Sequence, residues 1–130
     1  MLAKHPIDVM LTATDLEAAR RFYGDRVGLD VLIEGDDFVT FGCGGDSRLV
    51  VTRTSSPSSE QQTKASWRVT GVVAEVAELR ARGVDVVEYD EPYLKTANGV
   101  ADVGFALSAW FVDPGGNNIG LLQFKDRALA

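Results

Sequence analysis

Apolar and polar side chains alternate with period two near both ends of the chain. Over residues 7–13, Ile7, Val9, Leu11 and Ala13 fall on one face and Asp8, Met10 and Thr12 on the other, the signature of a half-buried strand. The period then changes. Leu16, Ala19, Phe22, Tyr23 and Val27 recur at helical spacing, Thr14 or Asp15 can cap the first turn, and Glu17 sits within it. A helix of about three turns is predicted before Gly28. Residues 29–34, 37–42 and 48–54 read as three short strands joined by Gly-Asp and Gly-Gly-Asp turns.

Residues 55–63 are small and polar and read as a linker. The order then repeats: a strand over 65–70, a helix over 72–82 with Val72, Val76 and Leu79 on one stripe, Gly83, and a strand over 84–88. Gly-Leu-Asp-Val-Leu at 28–32 mirrors Gly-Val-Asp-Val-Val at 83–87. Strands over 104–112 and 118–124 flank the turn Asp113-Pro114-Gly115-Gly116-Asn117, and residues 90–102 are either partly extended or a long loop.

The expected architecture is α+β, one domain over 1–130 made of two β-α-β-β-β modules at about 6–54 and 64–124. Each sheet carries one helix, so its other face is uncovered, and two such sheets can curl into an eight-stranded cup. Ile7, Val9, Leu11, Leu49, Val51, Ala65, Trp67, Val69, Ile119 and Leu121 mark the faces under the helices. Asp8, Met10, Thr12, Arg48, Val50, Thr52, Lys64, Ser66, Arg68, Gly120 and Leu122 mark the opposite faces, a mixture that suits a wet cavity.

Composition narrows the function classes. At 130 residues with 45% hydrophobic and 25% charged side chains, the chain can bury a real core without disulfide or metal. The formal charge of -6 opposes binding to phosphate backbones, so no nucleic acid is expected. No apolar run is long enough to span a bilayer, the first residues lack a signal-peptide core, and a single Cys43 allows no intrachain disulfide; a cytoplasmic protein with no membrane partner is expected. Gly42-Cys43-Gly44-Gly45-Asp46 lacks the Gly-Lys-Ser/Thr of a phosphate loop and reads as a hairpin turn.

Residues 14–29 (TDLEAARRFYGDRVGL) and 109–119 (AWFVDPGGNNI) together resemble the vicinal oxygen chelate superfamily, the group of glyoxalases, bleomycin resistance proteins and extradiol dioxygenases. The resemblance covers about residues 6–124 and implies the glyoxalase/bleomycin resistance fold, a cup-shaped site and homodimers. It also implies a divalent metal held by His and Glu at matching strand positions of the two modules. Those positions fall here on Asp8, Val50, Lys64 and Gly120. A catalytic divalent centre needs about three N or O donors, and a lysine places positive charge where a cation would sit. The sole histidine, His5, precedes the first strand. No metal and no other cofactor is expected.

The leading expectation is therefore a small-molecule binding protein of this type that has lost its metal site, sequestering a drug-like, partly aromatic or cationic molecule in the cup or at a dimer interface, as antibiotic resistance proteins do. Asp8, Met10, Phe38, Arg48, Thr52, Lys64, Arg68, Ser108 and Trp110 are the candidate ligand-binding residues: Trp110 or Phe38 for stacking, the charged groups for orientation. Trp67 shares its face with Ala65 and Val69 and is assigned to the core. Residues 88–96 can form a lid or a plain exposed loop. The competing readings are a metal-dependent lyase, isomerase or dioxygenase of the same superfamily, and an interaction module without ligand.

Overall fold

The computed structural model describes residues 1–58 and 61–130. They form two compact units, one comprising Met1–Glu60 and Asp113–Asn117, the other Gln61–Val112 and Asn118–Ala130.

In the first unit, β1 (Asp8–Ala13), β2 (Asp30–Glu34), β3 (Phe38–Gly42) and β4 (Arg48–Arg53) make one mixed sheet in the order β1-β4-β3-β2. β1 runs parallel to β4, a pairing that requires a crossover, and α1 (Leu16–Arg21) lies in that crossover. The strands match the alternation closely, except that β1 starts at Asp8 and leaves Ile7 exposed instead of under the helix. Leu11, Ala13, Leu16, Ala19, Leu49 and Val51 are buried, as predicted for the helix and the face beneath it, and Val39 and Phe41 of β3 are buried with them.

The first helix reaches Arg26, close to the length its spacing predicts, but only Leu16–Arg21 is α-helical. Asp15 caps it, its carboxylate accepting from the Ala18 amide at 3.0 Å. From Phe22 to Arg26 the turn widens, and the Val27 amide donates to the Phe22 carbonyl at 3.0 Å, five residues back. The wider turn accompanies the burial of two adjacent rings: Phe22 and Tyr23 meet edge-on at 5.1 Å, and Tyr23 packs on Phe41 at 5.7 Å.

The second unit repeats the topology with β5 (Thr63–Arg68), α2 (Val72–Ala81), β8 (Ala101–Asp102), β9 (Ala106–Val112) and β10 (Asn118–Phe124), in the sheet order β5-β10-β9-β8. Val72, Val76 and Leu79 bury the predicted stripe of α2. The Val72 amide donates to Gln123 Oε1 at 2.9 Å, which ties the helix start to β10 in place of a side-chain cap. Trp67 stacks on Phe111 at 6.4 Å and 22°, on the helix side of the sheet.

Two expectations need correction here. The strand over 84–88 is reduced to a single bridge between Val86 and Phe111, with the Val87 amide donating to the Trp110 carbonyl at 2.8 Å. The outer edge of β9 is shared: Val86 occupies its Phe111 end, and β8 pairs with Leu107 and Ser108 further along. Between them the chain loops out through a small hairpin, β6 (Asp90–Glu91) with β7 (Leu94–Lys95), so the fourth strand is split by an excursion. The linker expected over 55–63 is also shorter at its end, because Thr63 already belongs to β5; Ser59 and Glu60 of that linker lie outside the described residues.

Candidate functional site

Because paired residues in adjacent strands project to the same side of a sheet, the register fixes which candidates meet. In the first unit Asp8 pairs with Arg48, Met10 with Val50, Phe38 with Thr52, and Thr40 with Val50. Asp8, Met10, Phe38, Arg48 and Thr52 thus share the face opposite α1. Thr40 and Val50 at its centre are buried, whereas Met10 is 62% exposed. The Phe38 ring folds over Gly35, where a Cβ would lie 2.2 Å from it. The Thr52 hydroxyl donates to the Leu11 carbonyl at 3.4 Å. Arg48 lines a shallow depression of about 520 Å³ with Pro6, Leu32, Cys43 and Ser47. Asp8 and Arg48 form no ion pair with each other.

In the second unit Gly120 pairs with Ser66 on one side and Trp110 on the other, and Leu122 pairs with Arg68 and Ser108. Arg68, Ser108 and Trp110 therefore share the face opposite α2. Lys64 stands differently. The register runs from Thr63 opposite Asn118 directly to Ala65 opposite Ile119, so Lys64 is the extra residue of a bulge and the alternation read through Lys64, Ser66 and Arg68 breaks there. A Cβ on Gly120 would lie 2.4 Å from Ser66 Oγ and 3.3 Å from Thr63 Cγ2. The Ser66 hydroxyl thus occupies the space of a Gly120 side chain. Tyr89, from the excursion, meets the Trp110 ring edge-on at 5.3 Å. Neither Ser66 nor Tyr89 was among the expected site residues. Ser66 was legible from the alternation, and Tyr89 only as part of the segment 88–96 that can form a lid or a plain exposed loop.

Of the four positions at which the resemblance places metal ligands, only Asp8 carries a metal donor. Asp8 is a carboxylate, Val50 is apolar and buried, Lys64 is a cation, and Gly120 has no side chain. No three His, Cys, Asp or Glu side chains among the described residues stand close enough to hold a metal ion. The residues present do not fit a metal centre of that kind.

The turn Asp113–Asn117 belongs to the first unit and holds its most polar buried cluster. Tyr23 Oη donates to Asp113 Oδ2 at 2.6 Å. Asp113 Oδ1 accepts from the Gly115 and Asn117 amides at 2.9 and 2.8 Å, and Asn117 Nδ2 donates to both carboxylate oxygens and to the Thr12 carbonyl. Burial, followed by the Asp113 charge and its hydrogen bond, pushes the Tyr23 phenol well above its ordinary pKa. These bonds tie the Asp113 carboxylate, the Tyr23 hydroxyl and the Asn117 amide nitrogen to one another and to β1, and hold the turn in place.

No family model and no curated protein matches the chain. Solved structures do. An antibiotic binding protein, TnmS3 from Streptomyces sp. CB03234, is 27% identical, with 93% of this chain and 96% of that one covered at a TM-score of 0.66. A glyoxalase/bleomycin resistance protein from the same organism is also 27% identical over 92% and 99%, with a TM-score of 0.63. A glyoxalase/bleomycin resistance protein/dioxygenase from Alicyclobacillus acidocaldarius is 17% identical over 96% and 95%, at 0.73. The chain has the α+β glyoxalase/bleomycin resistance fold, with two α-helices and two four-stranded mixed sheets among the described residues. Its structural neighbours are glyoxalase, bleomycin resistance and dioxygenase proteins, in agreement with the resemblance to the vicinal oxygen chelate superfamily. No helix among the described residues is long and apolar enough to cross a membrane.

Proposed function

We propose that the protein binds a small drug-like or aromatic molecule without a metal ion and acts by sequestering it. The observation that carries this reading is the replacement at Gly120: the space of the implied ligand side chain is taken by the Ser66 hydroxyl, beside Trp110. An aromatic ring next to a few polar groups is the composition of a small-molecule site, not of a cation site. The candidate contacts are Asp8, Met10, Phe38, Arg48 and Thr52 in the first unit and Arg68, Ser108 and Trp110 in the second, with Lys64 at its bulge. The likeness to an antibiotic binding protein at 27% identity supports the same reading.

The reading includes a cytoplasmic homodimer. Exposed Met10, Val31, Leu32 and Ile33 in the first unit support a partner copy, because exposed apolar strands invite association. A single cysteine suits a reducing compartment. Titration with bleomycin, an enediyne and a set of polycyclic aromatic compounds, read by tryptophan fluorescence and melting temperature, is expected to give a saturable response with at least one. Silence across that panel overturns sequestration. Elemental analysis of protein purified without a histidine tag is expected to find well under one equivalent of Zn, Ni, Fe or Mn; about one equivalent, or glutathione-dependent turnover of methylglyoxal, would favour the enzyme instead.

A further inference from the structure

We infer that the face of the second sheet opposite α2 takes a planar polycyclic aromatic acid, its carboxylate on Arg68 and its rings against Trp110. This rests on the small-molecule reading above and narrows it to one charge and one shape.

The charge follows from what shares the face. Ser66 and Arg68 on β5, Asn118, Gly120, Leu122 and Phe124 on β10, and Ala106, Ser108, Trp110 and Val112 on β9 are linked by the register, and no carboxylate is among them. Arg68 is exposed and takes part in no ion pair among the described residues, unlike Arg20, Arg53, Arg80 and Arg82, each of which has an acidic partner. A guanidinium held on a strand without a partner offers its paired N–H groups to a carboxylate in fork geometry. Arg68 would repel a cation brought onto this face.

The shape follows from the spacing. Ser66 and Trp110 flank Gly120 on opposite sides, two strand spacings apart, about 10 Å. Ser66 and Arg68 are two residues apart along one strand, about 7 Å. Two or three fused rings span those distances. The half-buried Leu122 lies between the strands that carry Arg68 and Ser108, and gives the rings an apolar floor. Tyr89 set edge-on against Trp110 fixes the indole plane before a ligand arrives, and the Ser66 hydroxyl over Gly120 supplies one directional hydrogen bond.

Calorimetric titration with anthracene-2-carboxylate, anthracene-2-carboxamide and 2-(aminomethyl)anthracene tests this. The acid is expected to bind roughly tenfold or more tighter than the amide, the difference of one charge-assisted hydrogen-bonded pair. Arg68→Gln is expected to abolish that preference by weakening the acid far more than the amide, at an unchanged melting temperature, and Trp110→Leu to weaken acid and amide together. Equal binding of acid and amide, tighter binding of the amine, or a preference that survives Arg68→Gln overturns the inference. So does failure of all three probes; a response to bleomycin or an enediyne would then leave the broader reading standing, and silence there too would remove both.

Discussion

Removing the Tyr23 hydroxyl tests whether the buried cluster around Asp113 holds the first unit together. In Tyr23→Phe the ring survives, with its contacts to Phe22 and Phe41, so the change isolates the 2.6 Å bond to Asp113 Oδ2. That carboxylate keeps three donor groups, the Gly115 and Asn117 amides and Asn117 Nδ2, and is not orphaned. The loss should therefore be that of one hydrogen bond to a charged group, about 2 kcal/mol at pH 7. With an unfolding entropy of about 2.1 cal/mol/K per residue over 130 residues, this lowers the melting temperature by about 7 °C.

The pH dependence sharpens the test. The phenol's pKa is raised in the folded state, so its contribution is fully present below the unfolded value near 10 and is lost as pH rises towards the folded value. Above pH 10 the unfolded wild-type chain releases a proton that the folded one retains, and stability falls. At pH 11 that linkage removes up to about 1.4 kcal/mol from the wild type and nothing from Tyr23→Phe. Urea unfolding at the two pH values, followed by far-ultraviolet circular dichroism, should show the gap between the proteins narrowing from about 2 kcal/mol at pH 7. A gap that stays constant or widens from pH 7 to pH 11 would refute the buried, protonated Tyr23–Asp113 pair.

Two further predictions concern the turn and the surface. Gly115→Ala would place a Cβ 2.4 Å from the Thr12 carbonyl and 3.2 Å from Ala13 Cα, backbone atoms of β1 that cannot turn aside. It is expected to destabilise by about 2 kcal/mol or more in the same unfolding assay, and a neutral result would mean the turn does not lie against β1. Lys125 holds the Asp102 carboxyl below its ordinary pKa through a 2.8 Å hydrogen bond, aided by the Gly104 amide. Lys125→Met should move the Asp102 titration, read by carbon-13 chemical shifts, upwards towards the ordinary carboxylate range; an unmoved midpoint would remove the pairing.

β1 was legible because a local period of two decides it, with Leu11 and Ala13 buried as alternation requires, whereas β9 and β10 bury neighbouring residues on both faces and were marked by the turn between them. What was not legible depends on contacts distant in sequence. The split of the fourth strand follows from how much of the β9 edge Val86 and Ala101 each claim, and nothing in residues 84–88 announces that their pairing stops after one bridge. The wide turn after α1 likewise reflects the meeting of Tyr23 with Phe41 and Asp113, 90 residues on in the latter case.

The candidate site shows the same division at the scale of single residues. In the first unit, counting in twos along β1 and β4 brought Asp8, Met10, Arg48 and Thr52 onto one face because the register between those strands runs without a break. In the second, the same counting is correct for Ser66, Arg68, Ser108 and Trp110 but not for Lys64, because one skipped residue in the pairing with β10 shifts the phase. A bulge has no sequence signature of its own here; it becomes visible only through its neighbours, when a Cβ on Gly120 would meet Thr63 and Ser66. A position inferred by spacing from a relative is thus as good as the unbroken register beneath it. Spacing therefore places Val50 and Gly120, which lie in continuous pairing with β1 and β9, more securely than Lys64 at its bulge.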